Sequence, residues 1–363
     1  MPARSDNCHE YRGRGQAITN EKDSVSTYFV AAAVARLAPA ARDRVLAAAG
    51  IPPELALIGR ARVPAPAYSA LWLAVARELD DEFFGLDSRA MKVGSFALLS
   101  QAVLGCPTLD RAVRRMLRGF SVLLDDVGGK LSLSADASTA EIIITNRIAD
   151  SSDRRFADET FLVLVHGLMC WLIGRRLALQ QVDFAFPRPP HAGEYTQMFC
   201  QHVAFDAPRT AIRFDAAALS APVVQDAASL KRFLATAPQS VFLKYRNEDS
   251  WTARVRRCLR AAVERDRGWP VFAAVAGALG TAETTLRRRL DAEGSSYQGI
   301  KDQLRSDLAV EQLCQGDASV EAIAALLGFQ DVSAFHRAFR RWNGVSPGEF
   351  RRRQRLATVA RRA

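Results

Sequence analysis

Two segments near the carboxyl end of the chain place arginine and hydroxyl side chains at the spacing of one helical face. These side chains are Thr284, Arg287 and Arg288 in the first segment, and Ser333, His336, Arg337 and Arg340 in the second. Residues three or four positions apart are neighbours on a helix, so each set forms one patch. A guanidinium group can donate two hydrogen bonds to O6 and N7 of guanine, and it also binds phosphate. The two patches therefore indicate contact with the bases and backbone of double-stranded DNA.

The segments around these patches repeat each other, at an offset of 48 before the glycine of each repeat and 49 after it. The matching pairs are Val275 with Ile323, Ala276 with Ala324, Leu279 with Leu327, Gly280 with Gly328, Leu286 with Phe335, Arg288 with Arg337 and Leu290 with Phe339. Glycine can adopt the left-handed conformation that ends a helix, and Gly280 and Gly328 each follow an apolar helical pattern. Thr281 and Asp331 are candidate caps for the helix that follows. The pattern predicts a helix-turn-helix unit in each repeat.

Further helical segments hold these units in place. The sequence predicts a helix over residues 251–263 and a long joining helix over residues 296–314. The apolar stripe of the joining helix consists of Ile300, Leu304 and Leu308. The stretch Ser346-Pro347-Gly348-Glu349 has the capping-box pattern with proline at the first helical position, so we expect a last helix to begin there.

Residues 279–351 carry motifs in a fixed order and spacing. They are LG-x-4-TLRRRL at 279–290, Arg305 and Ala309 in the joining helix, IA-x-2-LGF-x-D-x-S-x-F-x-RAF at 323–339 and RW-x-G-x-SP-x-2-F-R at 341–351. In these motifs the chain resembles the DNA-binding domain of the AraC/XylS family of transcription regulators. The resemblance implies two recognition helices that enter the major groove. Gly277 departs from the expected pattern, because glycine is a weak helix former.

The amino-terminal part of the chain changes from helical periodicity to alternation. Helical patterns cover residues 24–49, 63–80, 91–103 and 109–124. Two alternating segments at 131–134 and 141–145 predict a hairpin around Asp136, and a strand follows at 182–186. Residues 202–205 and 211–214 predict a second hairpin. These patterns indicate helices followed by a small mixed sheet.

One apolar helix is predicted between the strands, over residues 158–178. Its most apolar run, 161–173, is shorter than the roughly 20 residues that a bilayer span needs. Asp158 and Glu159 precede the run and arginines follow it, as the helix dipole favours. We interpret it as a buried core helix, and His166 inside it as a core histidine, with a pocket-lining role as the alternative.

Residues 66–223 carry a second, weaker set of motifs. They are Pro66-x-Tyr68, DEFFGL at 81–86, FAFPRPPHAGEYTQMFCQHVAFD at 184–206 and IRFDAAALSAPV at 212–223. They resemble the amino-terminal domain of one AraC subgroup, that of the ornithine-utilisation regulator and VirS-like proteins, which is described as arabinose-binding. The resemblance implies a small-molecule sensor and assigns no ligand residue.

Charge and composition agree with this division. The net charge is +10, and residues 251–363 hold 20 Lys+Arg against 12 Asp+Glu, so most of the excess lies in the predicted DNA-binding part. The cysteines are scattered without a C-x-x-C pair, which favours a reducing cytoplasm over a disulfide framework. No secretory signal pattern is visible in residues 1–23.

Enzyme motifs are absent from the sequence. There is no G-x-S-x-G, no G-x-x-x-x-G-K-[ST] and no H-E-x-x-H, and the five histidines lack metal-ligand spacing. The acidic run at 80–82 is typical of a helix end rather than a catalytic pair. We predict no enzyme, no catalytic residue, no metal site and no cofactor, and we assign no cofactor-binding residue.

We therefore predict an α+β amino-terminal effector domain, built of helices and a small mixed sheet, followed by an all-α DNA-binding domain with two helix-turn-helix units. The expected divisions are a disordered leader at 1–23, the effector domain at 24–237, a linker at 238–250, the DNA-binding domain at 251–356 and a basic tail at 357–363.

The expected function is a sequence-specific transcription regulator, an activator controlled by a small-molecule effector. Its partners would be operator or promoter DNA, RNA polymerase, an unidentified effector and a second copy of the chain, with no membrane. The alternative is a ligand-independent regulator whose amino-terminal domain serves only dimerisation or protein contact.

Overall fold

A computed structural model describes residues 24–56, 61–200, 202–242, 251–265, 268–292, 295–315 and 318–362. The predicted leader at 1–23 and residues 243–250 of the predicted linker lie outside the described residues.

Two domains follow each other in the described residues. The helices of the first domain are α1 (Thr27–Val34), α2 (Pro39–Ala49), α3 (Pro53–Ala56), α4 (Ala65–Leu79), α5 (Ser95–Leu104), α6 (Leu109–Leu123), α7 (Ser151–Leu172), α8 (Gly193–Met198), α9 (Ala227–Ala235) and α10 (Gln239–Phe242), with a 3-10 helix at Ala216–Ser220. Its strands are β1 (Ser24–Ser26), β2 (Arg62–Pro64), β3 (Val127–Leu133), β4 (Thr139–Asn146), β5 (Leu179–Asp183), β6 (Val203–Ala204) and β7 (Ala211–Asp215). The second domain consists of α11 (Trp251–Glu264), α12 (Phe272–Ala278), α13 (Glu283–Ala292), α14 (Tyr297–Gln315), α15 (Val320–Leu326), α16 (Val332–Asn343) and α17 (Pro347–Arg362). The α+β followed by all-α fold class is confirmed.

The helix α7 forms the centre of the first domain. It begins about two turns before the predicted start at 158 and ends at Leu172 rather than 178. At its start Asp150 accepts hydrogen bonds from the backbone N–H groups of Ser152 and Asp153, both at 2.9 Å. Its residues from Phe156 to Leu172 are buried apart from Val163. The core-helix interpretation is confirmed. Asp158 and Glu159, however, lie buried inside the helix instead of exposed at its start.

The five-stranded sheet has the order β3–β4–β7–β5–β6, in which only the β5–β6 pair is parallel. The first predicted hairpin is confirmed as β3–β4. The second is wrong, because β5 lies between β6 and β7. Val182 in β5 and Ile212 in β7 are fully buried neighbours, whereas both residues of β6 are half-buried. The more apolar strand takes the interior position, and β6 remains at the edge of the sheet.

The predicted helix over residues 24–49 divides into β1, α1 and α2. β1 pairs with β2 as an antiparallel two-stranded ribbon, with Val25 opposite Val63. Gly50 ends α2 with φ of 69°. The ribbon lies against the second domain, where the Ser24 hydroxyl donates to Asp307.

The first domain extends past the predicted start of the linker. The helix α10 packs on α7, where a Cβ on Gly167 would come within 2.5 Å of the Val241 carbonyl oxygen. Val241 is 5% exposed. Residues 238–242 are therefore part of the first domain.

The second domain confirms the predicted repeat. Gly280 and Gly328 both have positive φ, at 64° and 71°, and end the first helix of each unit. Asp331 caps α16 by accepting a hydrogen bond from the N–H of Ala334 at 2.6 Å. The other recognition helix, α13, begins at Glu283, so Ala282 and not Thr281 lies next to its first turn. The first unit has a turn one residue shorter than the second, which displaces the capping position.

Candidate nucleic-acid interface

The helices α13 and α16 each bury one face and expose the other. Leu286 and Leu290 on α13, and Phe335 and Phe339 on α16, are at most 1% exposed and belong to one core. The predicted DNA-contacting side chains lie on the opposite faces. Thr284, Arg287, Arg288, Ser333, Arg337 and Arg340 are exposed, and His336 is half-buried. Each helix therefore offers a polar, positively charged surface on a rigid base.

The guanidinium groups on these outer faces differ in how far contacts with other side chains fix their positions. Arg288, Arg337 and Arg340 make no hydrogen bond or ion pair with another described residue. Arg287 lies 5.7 Å from the centre of the Phe272 ring, so its position is partly set by packing. Arg289, the next residue, lies 4.1 Å from the Trp251 ring and is half-buried. Arg289 therefore stabilises the domain, which separates it from the arginines that can reach a ligand.

The joining helix α14 holds the two units through its apolar stripe. Ile300, Leu304 and Leu308 are all buried in the core shared by both units, as predicted. If α14 moved away from either unit, these apolar side chains would be exposed to water, which is unfavourable.

A direct contact between the two units was not apparent from the sequence. Trp269, just ahead of α12, donates a hydrogen bond from Nε1 to the carbonyl oxygen of Leu326 at 3.2 Å. Arg305 on α14 lies 4.9 Å from the Trp269 ring and donates to the carbonyl oxygen of Leu327 at 2.9 Å. Arg305 thus caps the end of α15 through its hydrogen bond and also packs against the ring of Trp269. The sequence motif includes Arg305, but it does not predict the contacts of this side chain, because Trp269 and Leu327 are distant from it in the sequence.

Other candidates from the sequence have structural roles in the described residues. The side chain of His166 is buried and bonded through Nε2 to the Leu177 carbonyl oxygen at 3.0 Å, and burial lowers the pKa of His166 to about 4. The core-histidine interpretation is thereby supported. Asp81 accepts hydrogen bonds from three backbone N–H groups, and Glu82 caps α5 through Gly94 and Phe96. The acidic run orders a loop.

Two further functions receive no support from the described part of the chain. No group of three or more His, Cys, Asp or Glu side chains is placed there to hold a metal ion. None of its helices combines the length and the apolarity that crossing a membrane requires.

Comparison with known protein families matches both domains. A profile described as the arabinose-binding domain of AraC transcription regulator, amino-terminal, matches residues 40–223, and a helix-turn-helix profile matches residues 275–353. The chain belongs to the AraC family of transcription regulators. This AraC-family protein is a DNA-binding transcription regulator with an arabinose-binding-like amino-terminal domain, and it is not an enzyme.

Several curated relatives of this AraC-family chain are named as regulators. It is 29% identical to the ornithine utilization regulator of Pseudomonas aeruginosa over 261 residues, which is 72% of this chain and 76% of that protein. It is 30% identical to an uncharacterised HTH-type transcriptional regulator of Mycobacterium tuberculosis over 292 residues, 77% of this chain and 81% of the relative. Identity to the regulator VirS of M. tuberculosis is 37% over 78 residues, 22% of this chain and 23% of VirS.

Solved structures of regulators also align with this AraC-family chain. The transcriptional regulator CdpR from P. aeruginosa aligns over 90% of this chain and 96% of its own, with 21% identity and a TM-score of 0.30.

Proposed function

We propose that this AraC-family regulator binds its DNA sites through both recognition helices and that a small molecule bound by the first domain controls this binding. We further propose that it activates transcription in the cytoplasm by contacting RNA polymerase, and that it acts with a second copy of the chain. The proposal for DNA contact rests on the exposed outer faces of α13 and α16. Control by a ligand rests on the way in which the two domains are joined.

The observation that carries effector control is a buried polar contact between the domains. Its members, which we call the interdomain hub, are Ser24, Arg62, Glu194, Arg256 and Asp307. The Ser24 hydroxyl donates to Oδ1 of Asp307 on α14, and Arg256 on α11 donates to Oδ2 at 2.8 Å. Arg62 on β2 donates from Nε to the Ser24 Oγ at 2.7 Å and forms an ion pair with Glu194 on α8. Ser24 is fully buried and Asp307 is 1% exposed.

Apolar contacts surround the interdomain hub. Leu55 and Ala61 of the first domain are buried in the core of the second domain, and the α2 and α3 helices contact α17. Because the hub ends on α14, which positions both recognition helices, a shift in the first domain can reach the DNA-binding surface. A buried polar group that loses its partner raises the free energy of the folded state. The interface therefore favours a change between two fully bonded arrangements over a partial separation of the domains.

The test measures reciprocal coupling in the full chain. DNA sites are first selected from random sequence, and metabolites that shift thermal unfolding are then identified. We expect such a metabolite to change DNA affinity by the same factor by which DNA changes metabolite affinity. Ser24→Ala should reduce this factor toward one, because it removes the bond to Asp307. Ser100→Ala is the matched control, since Ser100 is also fully buried but bonds to the Phe96 carbonyl oxygen within α5.

Two results would count against effector control. An unchanged coupling factor in Ser24→Ala would show that the interdomain hub carries no signal. DNA binding and transcription that respond to no metabolite would favour the alternative, in which the first domain serves dimerisation or protein contact.

A further inference from the structure

A small, partly open pocket of about 30 Å³ lies in the first domain. The aromatic rings of Phe29, Tyr68, Trp72 and Phe156 line it, together with the carboxylate of Glu159. A volume of this size has room for about two water molecules, so the cavity is closed to larger molecules in this conformation.

The carboxylate in this cavity has no arginine or lysine nitrogen within ion-pair distance among the described residues. Glu159 is 1% exposed, and its oxygens accept hydrogen bonds from the hydroxyls of Tyr28, at 3.1 Å, and Tyr195. Among the described residues its one ion-pair contact is Nε2 of His191, at 3.8 Å. The guanidinium of Arg155, one turn earlier on α7, lies 5.4 Å from the centre of the Phe186 ring, and its charge acts on Tyr28 and Tyr195. A buried carboxylate is costly unless a positive charge or enough donors compensate it.

The hydroxyls of both tyrosines donate to Glu159, and the Tyr195 hydroxyl also lies 2.9 Å from Nε2 of His191. Burial, followed by the charge of Glu159, holds the pKa of Tyr28 and of Tyr195 above its ordinary value. Both hydroxyls therefore stay protonated and point their hydrogens at the carboxylate. The cluster satisfies hydrogen bonds at Glu159, and among the described residues no arginine or lysine nitrogen lies within 4.0 Å of its carboxylate, while the charge of Arg155 acts on both tyrosines from farther away.

We propose that this cavity is the effector site and that its ligand carries a small organic cation, an alkylammonium or quaternary ammonium group. Aromatic faces attract such a cation through their quadrupoles, and the buried carboxylate supplies the opposite charge. A neutral or anionic group would gain neither interaction. The assignment rests on the proposed function, since it identifies where and how an effector binds.

Both walls of the cavity that face the second domain also carry members of the interdomain hub. On α8, Met198 lines the cavity and Glu194, one turn earlier, pairs with Arg62. On β1, Val25 lines the cavity and the adjacent Ser24 bonds to Asp307, because successive side chains of a strand point to opposite sides.

Because the pocket has room for only about two water molecules, one of its walls must move when a larger ligand enters. Met198 has a flexible side chain that can swing aside, and α8 is short. Ligand entry would therefore displace the elements that hold Arg62 and Ser24. Only the residues of the interdomain hub therefore lie between the ligand and α14.

The test compares choline with 3,3-dimethylbutan-1-ol, which has nearly the same shape without the charge. Binding to the full chain is followed by tryptophan fluorescence and by thermal unfolding, with Trp72→Phe identifying the reporting ring. We expect choline, tetramethylammonium or n-butylammonium to raise the melting temperature and change the fluorescence, and the neutral alcohol to do so far more weakly. Equal binding of the alcohol, or no binding of any of these cations at millimolar concentration, would overturn the assignment.

Variants then test the carboxylate. Glu159→Gln keeps the shape of the side chain and one acceptor oxygen for the tyrosine hydroxyls but removes the negative charge, so it should weaken cation binding by at least about tenfold. Glu141→Gln is the control, because Glu141 pairs with Arg209 and Arg213 on the sheet, away from the cavity. Met198→Ala retains the carboxylate and widens the cavity, so it should tighten binding even if Glu159→Gln folds poorly. Unchanged cation affinity in folded Glu159→Gln would contradict the role of this carboxylate.

The outcomes separate this site from the proposed function. Cation binding that depends on Glu159 but leaves DNA affinity unchanged would support the site and contradict effector control. A neutral or anionic metabolite that alters DNA affinity, with no cation bound, would support effector control and overturn the site.

Discussion

Arg288 is exposed on α13, and Arg337 takes the equivalent position on α16. Neither guanidinium is occupied by another described residue, so each is free to donate two hydrogen bonds to a guanine edge. We predict that Arg288→Ala costs about 1–3 kcal/mol of binding free energy on a selected DNA site and relaxes base preference at the position it contacts. Gel-shift titrations on the selected site and on each single-base variant measure both effects.

Two arginines serve as controls for that substitution. Arg111→Ala removes an exposed arginine from α6, in the first domain, and should leave DNA affinity unchanged. Arg289→Ala should lower the stability of the domain, because it removes the contact with Trp251. If Arg288→Ala weakens binding equally on selected and random DNA, Arg288 contacts phosphate and the base-reading hypothesis is wrong.

At the scale of one element, the helix α12 contains a glycine that its structure does not require. Gly277 is exposed, has no positive φ, and a Cβ added there would meet nothing within 4 Å. Alanine is the better helix former, so Gly277→Ala should raise the free energy of unfolding by about 1 kcal/mol. Calorimetry of the full chain checks this expectation, and DNA affinity should not change.

Gly280, at the end of the same helix, is the matched control. A Cβ on Gly280 also meets nothing within 4 Å, but its φ is 64°. Gly280→Ala should therefore destabilise the domain by about 1–2 kcal/mol through backbone conformation alone. Because this turn positions α13, the same variant should weaken DNA binding. Equal effects of the two substitutions would show that the left-handed turn is not required.

At the scale of the whole molecule, α14 and Trp269 join the two units into one rigid body. The 19 residues of α14 would span about 28 Å at 1.5 Å per residue. We predict that one monomer binds two short, different DNA elements about one helical turn apart, roughly 34 Å. An insertion of about five base pairs rotates one element by half a turn and should remove the contribution of one helix, as footprinting and titration would show.

The rigid-body prediction has a protein-side test. Trp269→Phe keeps the ring but removes the hydrogen bond to Leu326, so it should reduce the penalty of the insertion. Trp171→Phe, in the first domain, is the control substitution. A DNA site that tolerates the insertion without loss in the unaltered protein would mean that the units bind independently.

The sequence alone determined the features that depend on neighbours along the chain. Helical periodicity, the left-handed glycines at 280 and 328, the cap at Asp331 and the arginine faces involve residues within a few positions of each other, so their spacing predicts them. The family motifs fall in the same segments. The proposed DNA-contacting surface could therefore be predicted from the sequence.

The tertiary structure decided what depends on residues far apart. The position of β5 between β6 and β7 follows from burial, which pairing of adjacent strands does not predict. Burial of Glu159 depends on Tyr28 and Tyr195, which are distant from it in the sequence. Ser24 and Asp307 are separated by 283 positions, and neither has a local pattern that marks it. The cavity and the interdomain hub arise only when the packed core brings these polar groups together and removes them from water, since that burial is what makes their contacts specific.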